Sequence, residues 1–99
     1  MKVNVKTEVI DVERNLPFLD EKGNPVTVGA LITASMRFEG GSEKKELAYS
    51  IQKRISATKE SGNDEVQISP EEAVYLKKAV SEQASAFAAG WFIEHINLL

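Results

Sequence analysis

The chain has 99 residues, of which 42% are hydrophobic and 27% charged; 15 acids against 12 bases give a net charge of −3, and cysteine is absent. This length supports one domain with one modest core, and the composition is that of an ordinary globular protein. The missing cysteines exclude disulfides, thiolate metal sites and cysteine nucleophiles. The acidic balance argues against bulk attraction to nucleic acid or an anionic membrane.

MKVNVKTEVI has no apolar leader core, so a cytoplasmic location is the expectation. Across residues 2–12, Val3, Val5, Thr7 and Val9 share one parity, while Lys2, Asn4, Lys6 and Glu8 take the other. A period of two predicts a half-buried strand. Ile10 and Val12 change parity, which predicts a bulge or a strand end near Val9. Pro17 ends pairing or confines it to an edge. Asp20-Glu21-Lys22-Gly23-Asn24-Pro25 has turn composition, and Phe18-Leu19 before it with Val26-Thr27-Val28 after it predict a hairpin. Residues 1–28 are therefore a strand and hairpin region.

A helix follows over 29–38, with Thr27 as N-cap and Leu31, Ala34, Ser35 and Phe38 as its stripe. Glu39-Gly40-Gly41-Ser42 stops it, and Ser42 caps the next helix. That helix, 43–59, is amphipathic. Leu47, Ile51 and Ile55 with Ala48 form one face, and Lys45, Gln52, Lys53, Ser56 and Lys59 lie opposite. Residues 60–64 form a turn and 65–68 a second short strand. Gly23-Asn24 before Val26-x-Val28 echoes Gly62-Asn63 before Val66-x-Ile68, so the two strands have equivalent places and could pair, although the units are too degenerate to be a repeat. Ser69-Pro70-Glu71-Glu72 carries a capping box with proline at the first helical position and starts a helix over 70–82. Its inner face is Ala73, Leu76 and Val80, and a bend or break is expected within 81–85. The last helix, 84–98, contains AFAAGWFI, eight residues without a charge. A helix apolar all round is a buried one, and this run is far too short for a bilayer, which needs about 20 apolar residues. The expectation is a mostly helical α+β domain, with three or four helices packed around this C-terminal hub.

Gly-Asn-Pro-Val-Thr-Val-Gly leading into a helix, Leu-Ala-x-x-Ile in a charged helix, then Val-Gln-Ile-Ser-Pro-Glu-Glu and a closing helix with Ala89-Gly90 form a series. In that series the chain resembles a family of small uncharacterised phage- and prophage-encoded accessory proteins. Residues 22–29, 66–72 and 89–90 carry the resemblance, which covers most of the chain through turns and caps. It implies a phage origin and a small accessory role in the bacterial host, and it supplies no catalytic residues.

Chemical motifs each have a plainer reading. An EF-hand over 61–72 would place Ser61, Asn63, Glu65 and Glu72 as ligands, but Val66 stands where the sharp turn needs glycine and Ser61 where aspartate belongs. His95, the single histidine, sits near the end of a helix, where it favours the dipole. No serine or acid has a nucleophile's context around it. Gly40-Gly41 lacks phosphate-loop spacing, and the pairs Asp64/Glu65 and Glu71/Glu72 are adjacent rather than on one helix face. Catalytic, cofactor and metal residues are thus not expected. The bases Lys44, Lys45, Lys53, Arg54 and Lys59 are diluted by Glu43, Glu46 and Glu60 and accompanied by one aromatic, Tyr49, which reads as a solvated face.

The functional expectation is a non-enzymatic protein that binds a host or phage protein as modulator or adaptor. It would use Trp91, Phe92, Ile96 and Leu99 of the last helix or the acidic Asp64 and Glu65. A homodimer through Phe92, Ile96 and Leu99 stays open, with Ala86 and Gly90 permitting close approach. The alternatives are a phage morphogenesis or tail-assembly component and a nucleic-acid-associated regulator using the 43–59 helix.

Overall fold

The computed structural model describes residues 1–37 and 44–99. Its elements are β1 (Lys2–Asn4), β2 (Ile10–Asp11), β3 (Leu16–Pro17), α1 (Val28–Arg37), α2 (Lys45–Ser61), β4 (Glu65–Gln67), α3 (Pro70–Gln83) and α4 (Ala86–Asn97). Four helices and two small antiparallel sheets make an α+β fold, as the sequence pattern predicts.

The N-terminal alternation is divided rather than continuous. After Asn4 the chain turns, with Asn4 Oδ1 accepting from the Lys6 amide at 2.9 Å. Val3, Val5 and Val9 are buried, but the parity does not then switch: Asp11 is buried and Val12 is 62% exposed. The cause is local. The Asp11 carboxylate accepts from Arg14 Nε at 2.9 Å and from the Glu13 amide at 3.1 Å, and its carbonyl accepts from the Asn15 amide at 2.7 Å. Asn15 adopts φ 57 to close that turn. A fully hydrogen-bonded aspartate thus holds the position that the valine pattern promised to a hydrophobe.

The hairpin at 18–28 forms around Gly23 at φ 83, with the Val26 amide donating to Phe18 O at 2.7 Å. The echo between Val26-x-Val28 and Val66-x-Ile68 is not a pairing. Val26 O accepts from the Val9 amide at 2.8 Å, whereas β4 pairs with β1 in the register Lys2↔Gln67, Val3↔Val66, Asn4↔Glu65.

α1 starts under Thr27, whose Oγ1 accepts from the Ala30 amide at 3.2 Å. Its buried face is Val28, Gly29, Ile32, Ser35 and Met36, about one residue round from the expected stripe; Leu31 is half-buried and Ala34 exposed. Gly29 explains the rotation. Its amide donates to Val5 O at 3.0 Å, and a Cβ there would lie 2.9 Å from Val5 Cβ, so this side of the helix is pressed onto the N-terminal segment. The expected Phe38 in the stripe and Ser42 as cap fall outside the described residues; α2 begins with Lys44 at its N-cap and no side-chain cap. Ile51 and Ile55 are buried as expected, joined by Thr58, and Gly62 ends the helix at φ 73.

α3 opens with the complete capping box between Ser69 and Glu72. Extended Ala84 breaks the chain, and Ser85 then caps α4, so α3 and α4 are separate helices. The expected hub is not the hub. α4 buries only Ala88, Ala89, Phe92 and Ile96, while Phe87 is 50% and Leu98 80% exposed. Leu76, Ala79 and Val80 of α3 are at 0%, and α3 is the helix that both α1 and α4 pack against. In a domain this small no second layer among the described residues covers the outer side of α4.

Candidate functional site

The residues expected to bind a partner are scattered. Phe92 and Ile96 are 0% and 1% exposed and belong to the core, so neither is available to a partner or to a dimer seam. Trp91 is half-buried and stacks on His95, ring centroids 4.8 Å apart and 9° from parallel. Leu99 is exposed. Asp64 and Glu65 lie elsewhere, at the β1–β4 pair. Asp64 O accepts from the Val5 amide, and its carboxylate stands 3.9 Å from Lys6 Nζ. Glu65 is exposed opposite Asn4.

Arg54 leaves the solvated face that the sequence suggested for it, and Glu72 keeps its capping role while taking a second partner. Glu72 is buried, and its carboxylate accepts from both terminal nitrogens of Arg54 and from the Ser69 amide at 2.8 Å. Arg54 also donates to Gln67 O and to Ser50 O. One guanidinium therefore ties α2 to the end of β4 and the start of α3. The Arg54 hydrogen bonds hold the Glu72 carboxyl below its ordinary range against the opposing effect of burial, and Glu72 raises Arg54 in turn. A glutamate engaged in this way is an internal partner rather than a free ligand. Among the described residues no group of three or more His, Cys, Asp or Glu side chains could hold a metal ion.

A concavity lies between α1 and α2. Small side chains create it: Ala30, Thr33 and Ala34 recur at i, i+3 and i+4 on α1, away from its buried face. Val5, Gly29 and Ile55 complete the floor, and the Thr33 hydroxyl spans the two helices to Gln52 Oε1 at 2.8 Å. The volume is about 470 Å³, within the range of ordinary ligand pockets. Among the described residues its charged lining is Lys6, Arg37 and Lys59, with no carboxylate. Lys6 has its loose contact with Asp64, while Arg37 and Lys59 form no ion pair with a described carboxylate. The concavity continues along α2 past Thr33, Arg37 and Gln52 to a depression at Met36, Ala48 and Tyr49, and then to another at Lys53, Ser56 and Glu60. Lys53 Nζ lies 5.8 Å from the centre of the Tyr49 ring.

Sequence reasoning missed this groove. Its trace was the row of small residues on α1 followed by Arg37, but Lys6 reaches the rim through tertiary structure alone. No helix among the described residues is long and apolar enough to cross a membrane. No family model, curated protein or solved structure matches the chain.

Proposed function

We propose that the protein acts by binding another protein, without catalysis, and that the α1–α2 groove is the surface it presents. The observation that carries this reading is a cationic rim around an apolar floor on a chain of net charge −3. A local field opposed to the net charge orients an incoming partner. The floor supplies the apolar contact that a stable interface needs at its centre. The resemblance over 22–29, 66–72 and 89–90 supports a phage-encoded accessory protein working in the cytoplasm of a bacterial host, with a host or phage protein as partner.

The test is affinity capture from bacterial lysate, with and without phage infection, using the wild-type chain beside the double variant Arg37→Glu, Lys59→Glu. Both positions are exposed, so the fold is retained, which circular dichroism checks. A stoichiometric protein held by the wild type and lost from the variant is the expected result. Equal retention by both overturns the groove as the binding surface.

A further inference from the structure

We infer that the occupant of the α1–α2 groove is a short, extended, acidic peptide segment that sets one aliphatic side chain on the Ala30–Ala34–Ile55 floor. The inference rests on the groove being the partner surface and names what that surface recognises. Three features select this chemistry.

The first is charge. Lys6, Arg37 and Lys59 surround the main concavity, no carboxylate stands among the described residues that line it, and Lys53 stands with Glu60 in the third depression. Carboxylates spaced along a strand meet such a row. Arg37 can take one of them through two parallel hydrogen bonds.

The second is shape. Gln52 lines all three depressions, Thr33 and Arg37 join the first to the second and Tyr49 the second to the third, and together they run beside α2 from Ala48 to Lys59. At roughly 1.5 Å of helix rise per residue that is about 16 Å. An extended chain advances about 3.3 Å per residue, so about five residues fill the length. A compact metabolite would occupy the main concavity and leave the rest bare.

The third is the floor. Val5, Ala30, Ala34 and Ile55 are apolar and small enough to admit a side chain between the helices. A nucleic acid strand would use the cations but has no aliphatic group for this floor. Stacking of its bases calls for aromatic platforms, and the described residues of the face include a single one, Tyr49, already opposite Lys53.

The experiment is an amide chemical-shift titration of the ¹⁵N-labelled full chain with a blocked pentapeptide, Glu-Asp-Leu-Asp-Glu. Saturable shifts at Ala30, Thr33, Ala34, Ile55 and Lys59 are expected, with a dissociation constant below about 1 mM. Replacing the peptide's leucine by serine weakens binding several-fold, as does raising the salt from about 50 to about 300 mM. The variant Arg37→Glu, Lys59→Glu weakens it by at least about tenfold, with its spectrum otherwise retained. Ala34→Trp, which fills the floor from an exposed position, abolishes it. The absence of saturable shifts at several millimolar peptide overturns the inference, as do shifts that map away from the groove. So does a single-stranded oligonucleotide of equal charge that binds the same amides more tightly. A protein captured through the groove while the peptide leaves those amides unmoved refutes the acidic segment and spares the proposed function. Peptide binding with capture unaffected by the variant does the reverse.

Discussion

Arg54 is the residue through which α2, β4 and α3 are held in register, and its partner Glu72 serves two structures at once. One carboxylate completes the capping box of α3 and neutralises the guanidinium from α2. Because Arg54 depresses the folded-state pKa of Glu72 below the ordinary 4.5, the pair's stabilisation is fully present above that value. It is lost as pH falls through the lowered one; Arg54, raised, stays charged throughout. Glu72→Gln should therefore lose about 2 kcal/mol near neutrality. It should also flatten the acid limb of a plot of urea midpoint against pH below about 4.5. Asp11, lowered chiefly by its Arg14 hydrogen bond, keeps its own share of that limb. An unchanged acid limb in the variant would remove the ion pair from the account of stability. Half of this node was readable beforehand. A capping box is written within four residues, whereas the Arg54 contact spans 18 positions and has no local signature.

At the level of the helices, two glycines separate close approach from open surface. A Cβ on Gly29 would meet Val5 Cβ at 2.9 Å and Val5 O at 3.1 Å, so Gly29→Ala is expected to destabilise by about 1–3 kcal/mol despite alanine's higher helix propensity. A Cβ on Gly90 would meet nothing within 4 Å, so Gly90→Ala should stabilise by about 0.5–1 kcal/mol. Thermal or urea unfolding of the two variants measures both signs. Loss of stability in Gly90→Ala would mean that α4 is closely approached by another surface, as the small residues Ala86 and Gly90 suggested in the sequence. The same contrast explains why α4 is buried on one side only, against the expectation from its composition. Apolar composition states that a helix tolerates burial on every side, but its neighbours decide which sides are covered. Here those neighbours are α3 and β2. Elements whose beginnings are set by side-chain caps, α1 at Thr27 and α3 at Ser69, were legible to within a residue. The groove was not, because it consists of what Ala30 and Ala34 lack.

Across the whole molecule, the two chain halves meet at β1 against β4 as well as at α1 against α3 and β2 against α4. The Met1 amine donates to Ile68 O at 2.9 Å across 67 positions, and the Ile68 amide returns to Met1 O at 2.8 Å. Closing so long a loop costs about 2 kcal/mol more than closing a hairpin of a few residues. Pairing of β1 should therefore follow the assembly of α1, α3 and α4. Val3→Ala, a truncation at 0% exposure, is expected to remove about 2 kcal/mol. Stopped-flow folding should show this as unfolding accelerated about 30-fold with the refolding rate nearly unchanged. A loss carried by the refolding rate would instead place β1 in the nucleus.

That late pairing has a consequence during synthesis. Ribosomes deliver Val3, Val5 and Val9 well before β4, and the strand that pairs with Val3 is translated some sixty residues later. For that interval the nascent chain presents a β-prone valine segment with an open edge, the kind of stretch that recruits its own copies. Lys2 and Lys6 alternate with those valines and place charge on the same segment. Their work as gatekeepers belongs to the unfinished chain and ends when β4 arrives.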